Sequence, residues 1–381
     1  MSFADIEGWL RISLTRGIGR SKFRTLISYF DSPTEIFSKS QKELTSIVGI
    51  DESTAKLILE AAVKTDVSQQ LELLEKHKVK IITSKDSRYP QNLKYSSFAA
   101  PLLFVKGELK KEDKFSISVV GSRQITSYGK LACTRICSEL AKMGVTIVSG
   151  MAQGIDSEAH SSALKAGGRT IAVLGNGLDF CYPAANKNLM SEIIENGAVI
   201  SEYPMGIKPL KGNFPERNSI IAGMSLGVLV VEASKDSGSL ITAACCIEDN
   251  RNVYAVPGDI NRRNSEGANN LLRQGAVVVT SGYDIIEDMA SVLRPLLDEE
   301  IKKEENKSEK ITHRVDNNKN LSKDEKSVLE IIRSQPKPFE DIIGILAPKE
   351  FSIGKLSSLL LSLEIKGEIT QLPGGIYSSV K

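Results

Sequence analysis

Residues 115–123 read Phe-Ser-Ile-Ser-Val-Val-Gly-Ser-Arg, an apolar run that ends in a turn of small residues. Similar apolar runs recur at 145–148, 170–174, 198–200, 227–231, 253–256 and 276–279, and segments long enough for helices separate them. This alternation is typical of parallel strands joined by crossover helices. The sequence therefore predicts an α/β fold built on a Rossmann-like, mainly parallel sheet of about seven strands.

Turns rich in glycine or serine accompany these runs, at 119–123, 149–156, 175–177, 214–218 and 237–242. In a parallel α/β sheet, such turns gather along the carboxyl edge of the strands. Helix N-termini at that edge offer unpaired N–H groups and the positive end of the helix dipole. We therefore predict that this edge binds phosphate groups.

The candidate site consists of phosphate-compatible groups in these turns and of cations between them. Its members are Gly121, Ser122, Arg123, Gly150, Gln153, Gly154, Lys187, Lys211, Phe214, Arg217, Asn218, Ser237, Gly238, Ser239 and Thr242. Several turns with a nearby Arg or Lys suit a row of phosphates on an extended polyanion better than they suit one nucleotide. Two alternatives stay open: Phe214 could be a core aromatic, and Arg217 could form a structural ion pair with Glu202 or Glu216.

The common nucleotide motifs are missing. The first strand ends in Gly-Ser-Arg at 121–123, without the Gly-x-Gly-x-x-Gly pattern of dinucleotide sites. The P-loop pattern Gly-x-x-x-x-Gly-Lys-Ser/Thr does not occur either. The sequence therefore predicts no cofactor.

Catalytic groups are sparse. Of the three histidines, only His160 lies near a candidate turn, four residues after Asp156. On a helix this spacing could form an acid–base or metal pair, or Asp156 could cap the helix that carries His160. Cys181 and Ser237 have no visible general base beside them. The five cysteines show no Cys-x-x-Cys spacing, so we predict neither a metal site nor a catalytic residue.

Residues 1–70 are predicted to form a helical domain. Two hairpins of small residues, at 14–20 and 47–50, each precede a helical segment. This is the form of a helix-hairpin-helix, whose hairpin amides can contact a DNA phosphate, and equally of a sterile-alpha-motif-like (SAM-like) bundle that only packs. The sheet domain is predicted to occupy residues 71–294.

Residues 295–320 are rich in Glu, Lys, Asp and Asn, which predicts a charged linker. Residues 321–381 follow with helices predicted at 323–333, from 339 and at 352–366, and with a hairpin at 368–378 that turns at 373–375. This order is typical of a winged helix. Its third helix is rich in leucine and has few basic residues besides Lys355, so we favour a protein-interaction or regulatory role over the reading of duplex DNA.

The composition is that of an ordinary globular protein with two or three domains. The chain has 381 residues, of which 41% are hydrophobic and 25% charged, and a net charge of +2. We find no apolar run of the roughly 18 residues that a membrane helix needs, and the first residues lack the pattern of an export signal. We expect a cytoplasmic protein without a membrane partner, in which contact with a polyanion depends on local clusters of cations.

Four further motifs are Gly-Asn-Gly-Leu-Asp at 175–179, Tyr-Pro at 182–183, Ser-Glu-Tyr-Pro at 201–204 and Val-Pro-Gly at 256–258. Together with the turns above, they resemble the motifs of the DNA-processing protein A family, also called Smf. The resemblance is specific over residues 80–282 and covers the flanking modules by their layout. It implies a protein, not known as an enzyme, that binds single-stranded DNA without sequence preference and protects incoming strands in natural transformation. It also implies loading of a RecA-type recombinase and a homodimer built through the sheet domain.

By position, the resemblance implies roles for the candidate residues. Ser122 and Arg123 would hold a phosphate, the turn at 150–154 would support the strand, residues 214–218 would line the groove, and residues 237–239 would close it. Lys187 and Lys211 would be further phosphate partners. The chain departs from the family at Ser219, where another Arg is frequent, and this departure predicts a weaker pocket rim.

A different class of protein is the runner-up. The lysine-decarboxylase-like phosphoribohydrolases are nucleotide-handling enzymes that share a Rossmann-type sheet with glycine-rich turns. Their Pro-Gly-Gly-x-Gly-Thr-x-x-Glu signature is missing from this chain. Glu232 precedes the turn at 237–239, which is the reverse of the order in that motif.

Overall fold

The computed structural model describes residues 3–30, 32–290, 321–346, 353–372 and 376–379. The chain forms two compact units, residues 1–296 and residues 297–381. The linker predicted at 295–320 and the hairpin turn predicted at 373–375 lie outside the described residues.

Six helices open the first unit. They are α1 (Phe3–Leu14), α2 (Arg20–Tyr29), α3 (Pro33–Phe37), α4 (Gln41–Thr45), α5 (Glu52–Lys64) and α6 (Ser68–Lys76). Side chains cap the starts of three of them, since Ser32, Ser40 and Asp51 accept hydrogen bonds from backbone N–H groups in the first turns of α3, α4 and α5. Such caps satisfy donors that a helix leaves free at its N-terminus.

The helices of the first unit share a hydrophobic core with the sheet. Trp9 of α1 packs against Phe23 of α2, with ring centroids 5.5 Å apart. The cluster that contains them continues into sheet residues such as Phe104 and Leu174. The domain limits 1–70 and 71–294 therefore stay a prediction, and the two segments pack as one body.

The sheet of the first unit has nine strands within the described ranges. They are β1 (Lys80–Thr83), β2 (Leu102–Gly107), β3 (Ser116–Val120), β4 (Thr146–Ser149), β5 (Thr170–Leu174), β6 (Ala198–Ser201), β7 (Gly227–Val230), β8 (Asn252–Ala255) and β9 (Val277–Val278). Strands β3 to β9 pair in parallel, whereas β2 is antiparallel to both β6 and β1. The predicted mainly parallel sheet is confirmed, and β1 and β2 extend it at one edge.

A helix follows most of the strands. The helices are α7 (Gln91–Lys94), α8 (Ser127–Lys142), α9 (Ile155–Lys165), α10 (Lys187–Asn196), α11 (Asn213–Met224), α12 (Ser239–Glu248), α13 (Arg263–Arg273) and α14, described over 282–290, with short 3₁₀ turns at Lys111–Lys114 and Ala184–Asn186. Helices α8 to α13 separate the parallel strands, whereas α7 lies between β1 and β2 and α14 follows β9. All residues of β3 to β7 are buried. This burial explains their continuous apolar runs, because a parallel sheet is covered on both faces.

The strand order places a crevice beside β3. The order is β1-β2-β6-β5-β4-β3-β7-β8-β9, so the sheet grows from β3 in both directions. At such a switch point the connections leave neighbouring strands toward opposite faces and open a crevice at the carboxyl ends. The loops that follow β3 and β7 flank this crevice.

The second unit is a small winged helix. It contains α15 (Lys323–Ser334), α16 (Phe339–Leu346), α17 (Ile353–Ile365), β10 (Lys337–Pro338), β11 (Ile369–Leu372) and β12 (Ile376–Ser379), with the strands in the order β10-β12-β11. The three predicted helices are confirmed. Lys355, the basic residue of α17 noted above, pairs with Asp324 at 2.8 Å. Across the described parts of both units, none of the helices combines the length and hydropathy that crossing a membrane requires.

Candidate nucleic-acid interface

A pocket of about 530 Å³ lies at the carboxyl end of β3. The first turns of α11 and α12 form its walls, together with the loop that follows β3. Ten of the fifteen candidate residues line it: Gly121, Arg123, Lys211, Phe214, Arg217, Asn218, Ser237, Gly238, Ser239 and Thr242. The fold therefore brings together the turns at 119–123, 214–218 and 237–242, which are distant in sequence.

Five candidate residues do not line the pocket. Gln153 and Lys187 are exposed outside it, and the Ser122 hydroxyl bonds within its own loop, to the N–H and carbonyl groups of Gln124. The Gly150 carbonyl accepts a hydrogen bond from Arg217. Gly154 has a φ of +86°, and a Cβ at this position would collide with the carbonyls of Ser122 and Arg123. These contacts explain on structural grounds why glycine occupies positions 150 and 154. The contact of all five residues with DNA stays a prediction.

Two guanidinium groups lie close to the Phe214 ring at the pocket wall. The Cζ atoms of Arg123 and Arg217 each lie 5.6 Å from its ring centroid. The Tyr182 ring, 45% exposed, lies beside it with centroids 5.8 Å apart. Phe214 is half-buried rather than part of the core, so its position is compatible with stacking of a base. Tyr182 was missed in the choice of candidates, although it begins the Tyr-Pro motif at 182–183.

Arg217 is almost completely buried, with 4% of its surface exposed. Its Nη1 donates to the carbonyls of Gly150 and Val173, the latter at 2.7 Å, and its Nε donates to Asn218 Oδ1 at 3.2 Å. Arg217 does not form the ion pair with Glu202 or Glu216 that was one of the predicted alternatives. Glu202 pairs with Arg20 instead, and Glu216 accepts a hydrogen bond from Tyr203. Burial lowers the pKa of Arg217, and Asp156 opposes that shift. Arg217 therefore holds the pocket wall by contacts with the backbone.

Asp156 and His160 have separate partners. Asp156 Oδ2 accepts from the Ala152 N–H at 3.3 Å, and burial raises the pKa of its carboxyl despite the opposing charge of Arg217. His160 Nδ1 lies 2.6 Å from Thr170 Oγ1, and burial, with the Arg217 charge, lowers its pKa to about 3. His160 is fully buried and neutral at physiological pH. This arrangement gives the predicted acid–base alternative no support.

The described ranges also contain no group of three or more His, Cys, Asp or Glu side chains arranged to hold a metal ion.

The electrostatics of the pocket favour an anion. Helix α12 begins at its edge with Gly238 as the N-cap residue and without a side-chain cap, and α11 begins at another edge after Gly212. The side chains of Arg123 and Lys211 are exposed beside these helix starts. Thr242 Oγ1 is buried and has no hydrogen-bond partner within the described part of the chain. Helix N-termini, the unpartnered Thr242 hydroxyl and exposed cations together suit phosphate oxygens.

A second hollow, of about 330 Å³, lies between the start of α8 and the segment that joins β8 to α13. Tyr128, Pro257, Gly258, Asp259 and Arg262 line it. The Tyr128 hydroxyl donates to the Pro257 carbonyl at 2.7 Å, and Asn264 Nδ2 reaches the Gln124 carbonyl at 2.9 Å. The second hydrogen bond ties the start of α13 to the loop that follows β3.

Residues 80–290 match the family model described as DNA recombination-mediator protein A. The chain belongs to this family. The resemblance seen in the motifs is thus confirmed. Residues 314–375 match a DprA winged helix domain, and residues 12–64 match a SAM-like helix-hairpin-helix tandem.

Relatives support the same assignment along the whole chain. Protein Smf of Synechocystis sp. is 32% identical over 400 residues, which cover 99% of each chain. The X-ray structure of DNA processing protein A from Streptococcus pneumoniae superposes with a TM-score of 0.65 at 35% identity, over 74% of this chain and 96% of that one. The Helicobacter pylori protein of the same name superposes with a TM-score of 0.50 at 29% identity, over 56% and 96%, and its structure addresses a single-stranded DNA binding mode.

Proposed function

We propose that this member of the family binds single-stranded DNA without sequence preference in the pocket beside β3, and acts in DNA processing and recombination during natural transformation. One observation carries the proposal: two helix starts, Arg123 and Lys211 line the same pocket as the half-buried ring of Phe214. Family membership and the single-strand binding mode of the H. pylori relative support it.

The chemistry of the pocket suits a single strand. An unpaired strand exposes base faces, which can stack on Phe214 with Tyr182 beside it, while its phosphates meet the start of α12 and the cations. Neither a ring face nor a helix N-terminus distinguishes one base from another. Binding is therefore expected to depend little on base sequence.

The alternative function, a phosphoribohydrolase-like enzyme, is less well supported. Glu232, the acidic residue at the end of β7, accepts hydrogen bonds from the Thr126 N–H and hydroxyl at the start of α8, and His160 is fully buried. Incubation of the protein with nucleoside monophosphates decides between the two, because sustained release of free base would favour the enzyme.

Replacing Arg123 by alanine is expected to weaken binding of a labelled oligothymidine about tenfold, since a hydrogen bond to a charged group is lost. The log–log slope of affinity against salt concentration should also flatten by about 0.7. Fluorescence anisotropy at several salt concentrations measures both quantities. Arg135→Ala is the matched control, because Arg135 pairs with Glu139 on the exposed side of α8 and does not line the pocket. Equal affinity of wild type and Arg123→Ala would contradict the assignment of this pocket.

The proposal extends to assembly. Family membership supports a homodimer built through the sheet domain, a cytoplasmic location and loading of a RecA-type recombinase onto the bound strand. For the winged helix, we propose a protein-interaction or regulatory role. Gel filtration with multi-angle light scattering tests the dimer, and a mass of one chain at micromolar concentration would count against it.

A further inference from the structure

Arg20, the first residue of α2, connects the N-terminal helices to the helix that carries Phe214. Its Nε donates to Glu202 Oε2 at 2.9 Å, and its Nη2 pairs with Glu202 Oε1. Nη1 donates to Ser219 Oγ at 2.7 Å and to the Phe98 carbonyl at 3.3 Å, and Nη2 also donates to the Glu216 carbonyl at 3.1 Å. A guanidinium has five N–H donors, and these contacts use all of them.

The Arg20 contacts are sheltered from solvent. The exposed fractions of the Arg20 and Glu202 side chains are 18% and 12%. Burial alone would lower the pKa of Arg20, but the Glu202 carboxylate outweighs it and raises the pKa. A fork-shaped guanidinium that engages both carboxylate oxygens fixes direction as well as distance. Arg20 is therefore a rigid link between α2, the end of β6 and α11.

This link reaches α11 from the side opposite the pocket. In a helix with 3.6 residues per turn, Phe214, Arg217 and Asn218 share one face, and Ser219 lies on the other side. The Ser219 hydroxyl connects Arg20 with the backbone of the helix, because it also donates to the Glu216 carbonyl at 2.5 Å. A change at Arg20 would thus shift the first turns of α11, which carry Phe214.

We propose that Arg20 is a positioning residue for single-strand binding: it seats α11 so that Phe214 faces the strand, and it thereby makes the pocket depend on the N-terminal helices. The inference rests on the proposed function. It gives the hairpin at 14–20 an internal role, since this turn directs Arg20 toward the sheet.

Two variants test the link in the full-length protein. Ser219→Ala removes the Nη1 contact with α11 but keeps the Nη2 contact with the Glu216 carbonyl and the Arg20–Glu202 pair, so the fold is preserved. Arg20→Ala combined with Glu202→Gln removes the pair without leaving a buried charge unpaired. Ser225→Ala is the matched control, because it also removes a buried hydroxyl. That hydroxyl bonds to the Ser118 hydroxyl and the Ile221 carbonyl, and Ser225 follows the C-terminal end of α11, away from Phe214. Each variant is titrated with labelled oligothymidine and checked for its denaturation midpoint.

We expect about threefold weaker binding for Ser219→Ala and about tenfold weaker binding for the double variant, with Ser225→Ala within about twofold of wild type. In a Phe214→Ala background, Ser219→Ala should have no further effect, because the residue that it positions is gone. A general loss of stability would instead weaken binding equally in both backgrounds, and that result would overturn the inference. Wild-type affinity of both link variants would overturn it as well. Normal binding by Phe214→Ala would overturn the role of its ring and with it this inference, whereas no binding of oligothymidine by the wild type would overturn the proposed function itself.

Discussion

Replacing Arg217 by alanine is expected to lower the free energy of unfolding of the first unit by about 3–5 kcal/mol. The guanidinium is buried and donates to the carbonyls of Gly150 and Val173. It is also the main charge that opposes the rise in pKa of the buried Asp156 carboxyl. Its removal leaves two buried carbonyls without this donor and the buried acid without its main counter-charge. Chemical denaturation followed by circular dichroism measures the change.

Two comparisons isolate the cause of the Arg217 effect. Arg123→Ala should change the free energy of unfolding by less than about 0.5 kcal/mol, because Arg123 is exposed. Adding Asp156→Asn to Arg217→Ala should restore part of the lost stability, since the acid no longer needs a counter-charge. A loss below about 1 kcal/mol in Arg217→Ala would show that this side chain is not structural.

Replacing Phe214 by alanine is expected to weaken single-strand binding about 5- to 150-fold, the usual range when one base loses its aromatic partner. The ring is half-buried at the pocket wall, with Arg123 and Arg217 each 5.6 Å from its centroid. The denaturation midpoint should change far less than in Arg217→Ala. Anisotropy titration with oligothymidine at fixed salt gives the affinity.

Two further variants separate stacking from apolar contact at Phe214. Phe214→Leu keeps an apolar side chain but no flat ring, so it should recover only part of the affinity. Tyr95→Ala removes an exposed aromatic, 78% accessible and outside the pocket, and should bind as wild type does. An undiminished affinity in Phe214→Ala would exclude stacking at this position.

The sheet could be predicted because its physical cause lies in local sequence. Parallel strands buried on both faces must be apolar throughout, as at 115–120 and 170–174, and helix-length segments must separate them. The turns at the strand ends then identify the carboxyl edge. For the same reason the turns at 119–123, 214–218 and 237–242 could be assigned to one site before any distance was known.

The roles of single cations could not be predicted, because burial depends on contacts that are distant in the chain. Arg217 has the appearance of a phosphate ligand in sequence, yet it bonds to carbonyls 44 and 67 residues away. Arg20 contacts Ser219, which is 199 residues away in the chain, and no local sequence pattern predicts that contact. Lys187 follows the turn at 175–177 by only ten residues, but it begins α10 outside the pocket.

A crystal structure of the intact protein with a short thymidine oligonucleotide would show directly where a single strand binds. We expect one phosphate in contact with the Arg123 guanidinium, a second at the N-terminal end of α12, and a base against Phe214. A strand bound elsewhere, with this pocket empty, would contradict this expectation.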